Sequence, residues 1–317
     1  MNFEIDEQQR DFAASIDAAL GAADLPTAVR SWADGDTAPA RKVWAQLTDL
    51  GVTALMVPEK FDGIDAHPVD LVVAMERLGR WCVPGPVVES VAVAPILLGD
   101  DERVGALASG ELIATVAQPP WVPRAVDADT AGLVLLAGDG EVAEASVGTE
   151  HESVDPSRKV FAIQASGDGW SADTALAFEF GALATAAQLV GAAQGMLDAA
   201  VGYAKQRSQF GTVIGTYQAI KHKLADVLIA VELARPLVYG AALSLADRSP
   251  DTARDVSAAK VAAADAALMS ARSALQTHGA IGFTAEHDLS LQLLRVQALR
   301  PAWGDPTWHR RRVLEAL

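Results

Sequence analysis

Two stretches of this sequence hold groups that grip anions and flat rings at the ends of long apolar-periodic segments. The first is Arg207-Ser208-Gln209-Phe210-Gly211. Arg forks onto phosphate or carboxylate oxygens, and Phe lies against an aromatic ring. The second is Gln276-Thr277-His278-Gly279-Ala280-Ile281-Gly282-Phe283. There Gln276 offers an amide at a helix end, and Gly279 lets a ligand approach the backbone closely. A plainer role is open to the first stretch: an Arg that caps helix carbonyls and a Phe that belongs to the core.

The elements that must position these groups are helical. Before Arg207, the apolar residues Ala192, Met196, Leu197, Ala200, Tyr203 and Ala204 recur at helical spacing, and Gly211 is a stop signal. After it, Tyr217, Ile220, Leu224, Val227, Leu228, Val231 and Leu237 mark a second stripe. Helices are expected at 174–206, 216–248, 251–277 and 285–298, with Asp251-Thr252 as a cap and Pro301 ending the last. The third is nearly all small residues, broken by Lys260, Asp265 and Arg272, and suits a bundle interior or a subunit interface. The basic patch Trp308-His309-Arg310-Arg311-Arg312 reads as a solvated helix end.

Residues 1–98 also read as helices, with stripes at Phe3, Ile5, Phe12, Ile16 and Leu20, at Trp44, Leu47 and Leu50, at 69–78 and at 87–98. An extended run is expected at 52–57. Between 99 and 173 the period changes to that of strands: 112–116, 133–137, 141–147 and 159–165, with a hairpin signal at Gly138-Asp139-Gly140. Glu150-His151-Glu152 reads as a solvated loop. The fold expected is mainly α with a central β domain: an N-terminal helical domain (1–98), a small barrel or sheet (99–173) and a C-terminal four-helix bundle (174–317).

With 25 basic and 41 acidic side chains, net charge −16, the surface repels nucleic acid and anionic membranes. An anionic ligand then needs local cations or helix ends. The single Cys82 excludes an intrachain disulfide and a cysteine metal cluster, and no metal site is expected at His278 and His287. The acidic start lacks a signal pattern, no apolar run is expected to reach membrane length, and a cytoplasmic protein is expected.

Arg207-x-Gln209-Phe210-Gly211, then Gln218-x-x-x-His222-x-Leu224-Ala225-Asp226, resembles the acyl-CoA dehydrogenase family, as does Gln276-x-His278-Gly279-Ala280-Ile281-Gly282-Phe283-Thr284-x-Glu286. The resemblance is good over 191–304, fair over the first hundred residues and poor between them. It implies helical, β and helical domains, tetramers, FAD as hydride acceptor, and a carboxylate base for the α-proton of an acyl-CoA thioester. It also implies that Arg207, Gln209, Phe210, Gln218, Gln276, Gly279 and Ala280 serve the flavin of a neighbouring subunit. Ala280 stands where the family has a second glycine.

The chain departs from the family where it would serve itself. The two slots for the catalytic glutamate are Gly181 and Gly304, with Glu179 and Asp305 out of register. The segment that covers the flavin ring reads Ala117-Gln118-Pro119-Pro120-Trp121, without the family's Gly-Ser-Asp. No catalytic residue is therefore assigned. The resemblance points to the short subunit of the actinobacterial heteromeric enzymes that degrade steroids. It implies a larger partner subunit in a two-plus-two heterotetramer, an acyl-CoA substrate bound mainly by that partner, and an electron-transfer flavoprotein as acceptor. Two readings stay open beside it: a self-sufficient dehydrogenase using Asp305 or Glu179, and a flavin-free structural subunit.

Overall fold

The computed structural model describes residues 5–317, so Phe3 of the expected first stripe lies outside the described residues. The chain opens on α1 (Glu7–Ala22), α2 (Leu25–Ala33) and α3 (Ala38–Asp49). α1 starts at a reciprocal cap in which Asp6 accepts from the Gln9 amide and Gln9 accepts from the Asp6 amide. α4 (Pro68–Arg80) buries Val69, Leu71, Val72, Met75 and Leu78.

The run 52–57, expected extended, is instead a 3-10 turn at Val52–Ala54 followed by further turns. Its six side chains are all buried, which removes the periodicity that separates strand from turn. Its amides bond locally, Ala54 to Gly51 and Val57 to Ala54. The helix expected over 87–98 is also broken, into a π turn at Glu89–Val93 and α5 (Ala94–Leu98). Pro95 has no N–H to give to residue 91, and the wider turn accommodates its ring.

The middle stretch begins with a helix the sequence reading missed, α6 (Arg103–Ala108). Then come β1 (Ala114–Ala117), β2 (Ala125–Val126), β3 (Leu133–Gly138), β4 (Glu141–His151), β5 (Val160–Ala165) and β6 (Trp170–Ser171). The sheet runs β1-β3-β4-β5-β2, with β6 on β4. β1 is parallel to β3 and the other pairs are antiparallel. The Thr115 hydroxyl donates to the Val126 carbonyl at 2.6 Å and draws β1 toward β2, which nearly closes a barrel. The hairpin signal held: Asp139 and Gly140 both take positive φ between the paired Gly138 and Glu141. Glu150 and His151 are strand residues paired with Phe161 and Val160, not the expected loop.

α7 (Thr174–Gln206), α8 (Gln218–Ala246) and α9 (Thr252–His278) pack on one another, and α7 also packs on α4. Residues 180–197 of α7 carry no charge, contrary to the expectation that no apolar run reaches membrane length. Among the described residues, α7 and α8 are long and apolar enough to span a bilayer, and α7 is the buried central helix of this bundle. One apolar core joins Ile16, Leu71 and Met75 to Leu183, Val231 and Ala263. At α9 the side chain of the expected cap Asp251 accepts no amide; it pairs with Arg254 at 3.2 Å instead. α10 (Leu289–Leu299) begins four residues later than expected, because Arg30 and His287 hold the preceding residues outside the helix. A further helix, α11 (Pro306–Glu315), follows. Fully buried Lys260 donates to the carbonyls of Leu299, Arg300 and Gly304 and so fixes the α10–α11 link.

Candidate functional site

α7, α8 and α9 run up, down and up, so the end of α7, the start of α8 and the end of α9 meet at one end of the bundle. The stretch after α7 is a hairpin, β7 (Ser208–Gln209) against β8 (Thr212–Val213), where the sequence reading expected a plain turn. Phe210 and Gly211 form its tip at φ 52° and 78°. Positive φ at both positions is what a two-residue hairpin of this hand requires. The Tyr217 hydroxyl donates to the Gln209 carbonyl at 3.3 Å and ties the tip to the start of α8. Phe210 is left 94% exposed, and Arg207, Gln209 and Gln218 also face outward.

Gln276, on the last turn of α9, accepts from the Lys223 ammonium on α8. Gly279 ends that helix at φ 67°, with open space where a side chain would begin. Ala280 is exposed, as are Ile281 and Phe283. All seven expected residues thus lie at one end of the bundle on exposed backbone or side chains. An outward cation, two outward Phe rings and a bare backbone form a surface that can hold a phosphate and a flat ring belonging to another body.

The slots expected for a catalytic carboxylate are closed. A Cβ on Gly181 would lie 2.4 Å from the Trp303 indole. A Cβ on Gly304 would lie 2.6 Å from His309 Nε2 and 2.9 Å from the Trp308 ring, and Gly304 sits at φ 95°. The rings belong to one cluster. Phe178 packs edge-on against Trp303 and Trp308, with centroids at 5.9 and 5.4 Å. Trp308 meets Trp121 at 4.4 Å. Trp121 belongs to the segment that the family resemblance places over the flavin ring, and that segment here rests directly on α11. The residues present therefore do not fit a flavin ring held by this chain's own sheet and bundle.

Neither nearby carboxylate is free to act as a base. Glu179 is buried and forked by Arg312, one contact being 3.1 Å. Arg312 also lies over the Trp308 ring at 5.2 Å, so this residue of the expected solvated basic run packs inward. Burial pushes the Asp305 carboxyl up. The amides of Trp308 and Thr307 more than reverse that, and it stays below the usual range as the cap of α11.

His309 is fully buried, between the Ser257 hydroxyl at 3.0 Å and the Trp303 carbonyl at 2.9 Å. Burial, aided by Lys260, pushes its imidazole down to about 4. The unfolded chain takes up this proton below about pH 6.5 and the folded chain does not. The contribution of His309 to stability is therefore whole above pH 6.5 and is lost as the pH falls. We expect a loss of about 2 kcal/mol between pH 6.5 and pH 5, at about 1.4 kcal/mol per pH unit. Urea titrations across that range should show it as a fall in the stability of wild type relative to His309→Gln, a difference in which oppositely titrating groups such as buried Asp127 cancel.

The sequence reading missed Trp121, Phe178, Trp303, Trp308, His309 and Arg312 as parts of one cluster. A signal was present: two of the seven tryptophans flank Gly304 in Trp303-Gly304-Asp305-Pro306-Thr307-Trp308.

Comparison with known proteins bears on this geometry. The acyl-CoA dehydrogenase N-terminal domain matches residues 6–102, and the acyl-CoA dehydrogenase C-terminal domain matches residues 167–317. Acyl-CoA dehydrogenase IpdE2 of Mycolicibacterium smegmatis is 31% identical over 295 residues, which span 91% of this chain and 92% of IpdE2. A chain of the ChsE4-ChsE5 complex from Mycobacterium tuberculosis superposes with a TM-score of 0.85 at 22% identity, over 99% of this chain and 98% of that one. The steroid ACAD Tcur3481-Tcur3483 gives 0.84 at 19% identity, over 98% and 97%. Those two likenesses speak to the fold. The domain matches and the near full-length relative go further: this chain belongs to the acyl-CoA dehydrogenase family, whose members are oxidoreductases of acyl-CoA thioesters and whose cofactor is FAD.

Proposed function

We propose that this chain is the non-catalytic subunit of a heteromeric acyl-CoA dehydrogenase. It lends Arg207, Gln209, Phe210, Gln218, Gln276, Gly279 and Ala280 to FAD held by a larger partner. One observation carries the reading: the cofactor arm is open to solvent, while both carboxylate slots are filled by Trp303, Trp308 and His309. When bound, the flavin supplies a hydride acceptor for the β-carbon of the acyl thioester. In this reading Arg207 meets the pyrophosphate, and Gln276 with the backbone at Gly279 meets the adenosine end. The partner brings the base and the ring pocket.

A second feature supports a partner. The outer face of α8 exposes Leu228, Ile229, Leu233 and Leu237, and Met269 of α9 is exposed as well. A contiguous apolar helix face of this kind is what another subunit covers. We further infer a two-plus-two assembly, with a steroid-derived CoA ester as substrate and an electron-transfer flavoprotein as acceptor. The names of the similar complexes, ChsE4-ChsE5 and a steroid ACAD, lend this weight. The commitment of Glu179 to Arg312 and of Asp305 to α11 argues against a self-sufficient enzyme. The test is to purify the chain alone and with candidate larger subunits, and to count FAD per polypeptide. The expected result is one FAD per two chains in the complex and none on this chain alone. A yellow, active homotetramer of this chain would end the reading.

A further inference from the structure

The loop 279–288 between α9 and α10 carries Gly279 and Ala280, and it is rooted on two histidines. At one root, buried His278 holds its Nδ1 at 2.8 Å from the Ala274 carbonyl, so that nitrogen carries a proton. Its ring stacks on Tyr203 with centroids 4.4 Å apart. At the other root, His287 Nδ1 accepts from the Leu289 amide at 3.2 Å. Leu289 is the first residue of α10, so His287 caps that helix, and only an unprotonated Nδ1 can do so. The two imidazoles meet edge to face at 5.1 Å.

Both face the same cleft of about 450 Å³. Its other titratable or charged groups are Arg80 and Cys82 from the end of α4, Tyr203 from α7 and Asp288 from the loop itself. Arg80 is paired with Asp198 at 2.9 Å. Arg30 of α2 pairs with Asp288 at 2.8 Å and donates to the carbonyls of Ala285 and Glu286. The charge nearest the loop carbonyls is thus already positive, and the end of α10 facing His287 is the positive end of a helix.

We propose that His287 is a pH-dependent clasp on the cofactor arm: neutral, it caps α10 and holds the 279–288 loop; protonated, it releases the cap and loosens that loop. A proton on Nδ1 meets the Leu289 N–H, the positive end of α10 and Arg30. A second proton on the pair also sets two like charges 5.1 Å apart between ring centres. Burial pushes His278 below its usual range, with His287 adding to the effect, so His278 opposes a second charge. The consequence for flavin rests on the proposed function; the release of the loop does not.

The test has two arms. In the full chain alone, amide-exchange protection of residues 279–290, corrected for intrinsic rates, is compared at pH 7.5 and 5.0. Wild type should lose protection by about tenfold, since an Nδ1 that has taken a proton can no longer accept from the Leu289 amide. His287→Asn keeps an acceptor for the Leu289 amide but does not titrate, and it should show no loss. Equal protection at both pH values in wild type, or the same loss in His287→Asn, overturns the clasp. In the complex with its partner, flavin release at pH 5.0 should be several-fold faster for wild type than for His287→Asn. If the loop loosens but release is equal, while Arg207→Ala still speeds release, the regulatory role is overturned and the proposed function stands. If neither variant alters flavin release, the proposed function fails instead.

Discussion

Arg207→Ala, assembled with the proposed partner subunit, should keep its fold and bind FAD roughly a hundredfold more weakly. The residue lies beyond the end of α7, exposed, with its backbone extended at φ −76° and ψ 124°. Its amide bonds to the Tyr203 carbonyl at 2.9 Å and its own carbonyl accepts from Ile214 at 2.8 Å. Both bonds use the main chain, so alanine retains them. On the proposed function, what is lost is a charge-assisted bond to the pyrophosphate, worth about 1.5–3 kcal/mol. The loss is felt fully because the chain is otherwise repulsive to a dinucleotide, at net −16. Fluorescence of released FAD, titrated against the assembled complex, measures the change. Arg310→Ala is the control. That side chain is exposed and paired with Asp265 at 2.7 Å, and its removal should leave FAD affinity within about twofold, as expected of a surface ion pair. An unchanged flavin content in Arg207→Ala would favour a structural subunit that touches no flavin.

The parts of this molecule legible in the sequence were those whose signals are local. Gly138-Asp139-Gly140 encodes a hairpin through backbone conformation alone, and a hairpin forms there. The apolar stripes of α4 and α8 mark their buried faces. The arm at Arg207 and Gln276 was legible as a motif, although its hairpin shape was not. Phe210 at φ 52° needs a two-residue tip between paired strands, and Ser208-Gln209 is too short to announce itself as a strand. The closure of the carboxylate slots was not legible, because it depends on residues far apart in the chain. Gly181 reads as a helix weakness until Trp303, more than a hundred positions later, is seen lying against it. The run at 52–57 failed for a related reason: burial on all sides hides whether the backbone is extended or turned.

The closure itself predicts the other large effect. Gly181→Ala should destabilise the chain by about 3 kcal/mol, although the same change at Gly202, near the other end of α7, should help. In a helix interior, alanine is favoured over glycine by about 1 kcal/mol. Gly202 meets nothing where a Cβ would be, so Gly202→Ala should realise that gain. At Gly181 the new carbon would lie 2.4 Å from two atoms of the Trp303 ring, far inside contact distance. The ring has little room to yield. It is 1% exposed, its Nε1 donates to Glu89 at 3.2 Å, and Phe178 packs edge-on against it. Overpacking of a rigid core typically costs about 1–3 kcal/mol, and an immobile indole puts this site at the upper end. Urea unfolding of the two single variants gives opposite signs if the slot is truly filled. Trp303→Leu would itself cost stability, but added to Gly181→Ala it should cost less than the sum, because the smaller side chain vacates the space the methyl needs. Strict additivity of the two changes, or a stable Gly181→Ala, would mean that the slot is open in solution, and a carboxylate restored there as Gly181→Glu could then reach a substrate.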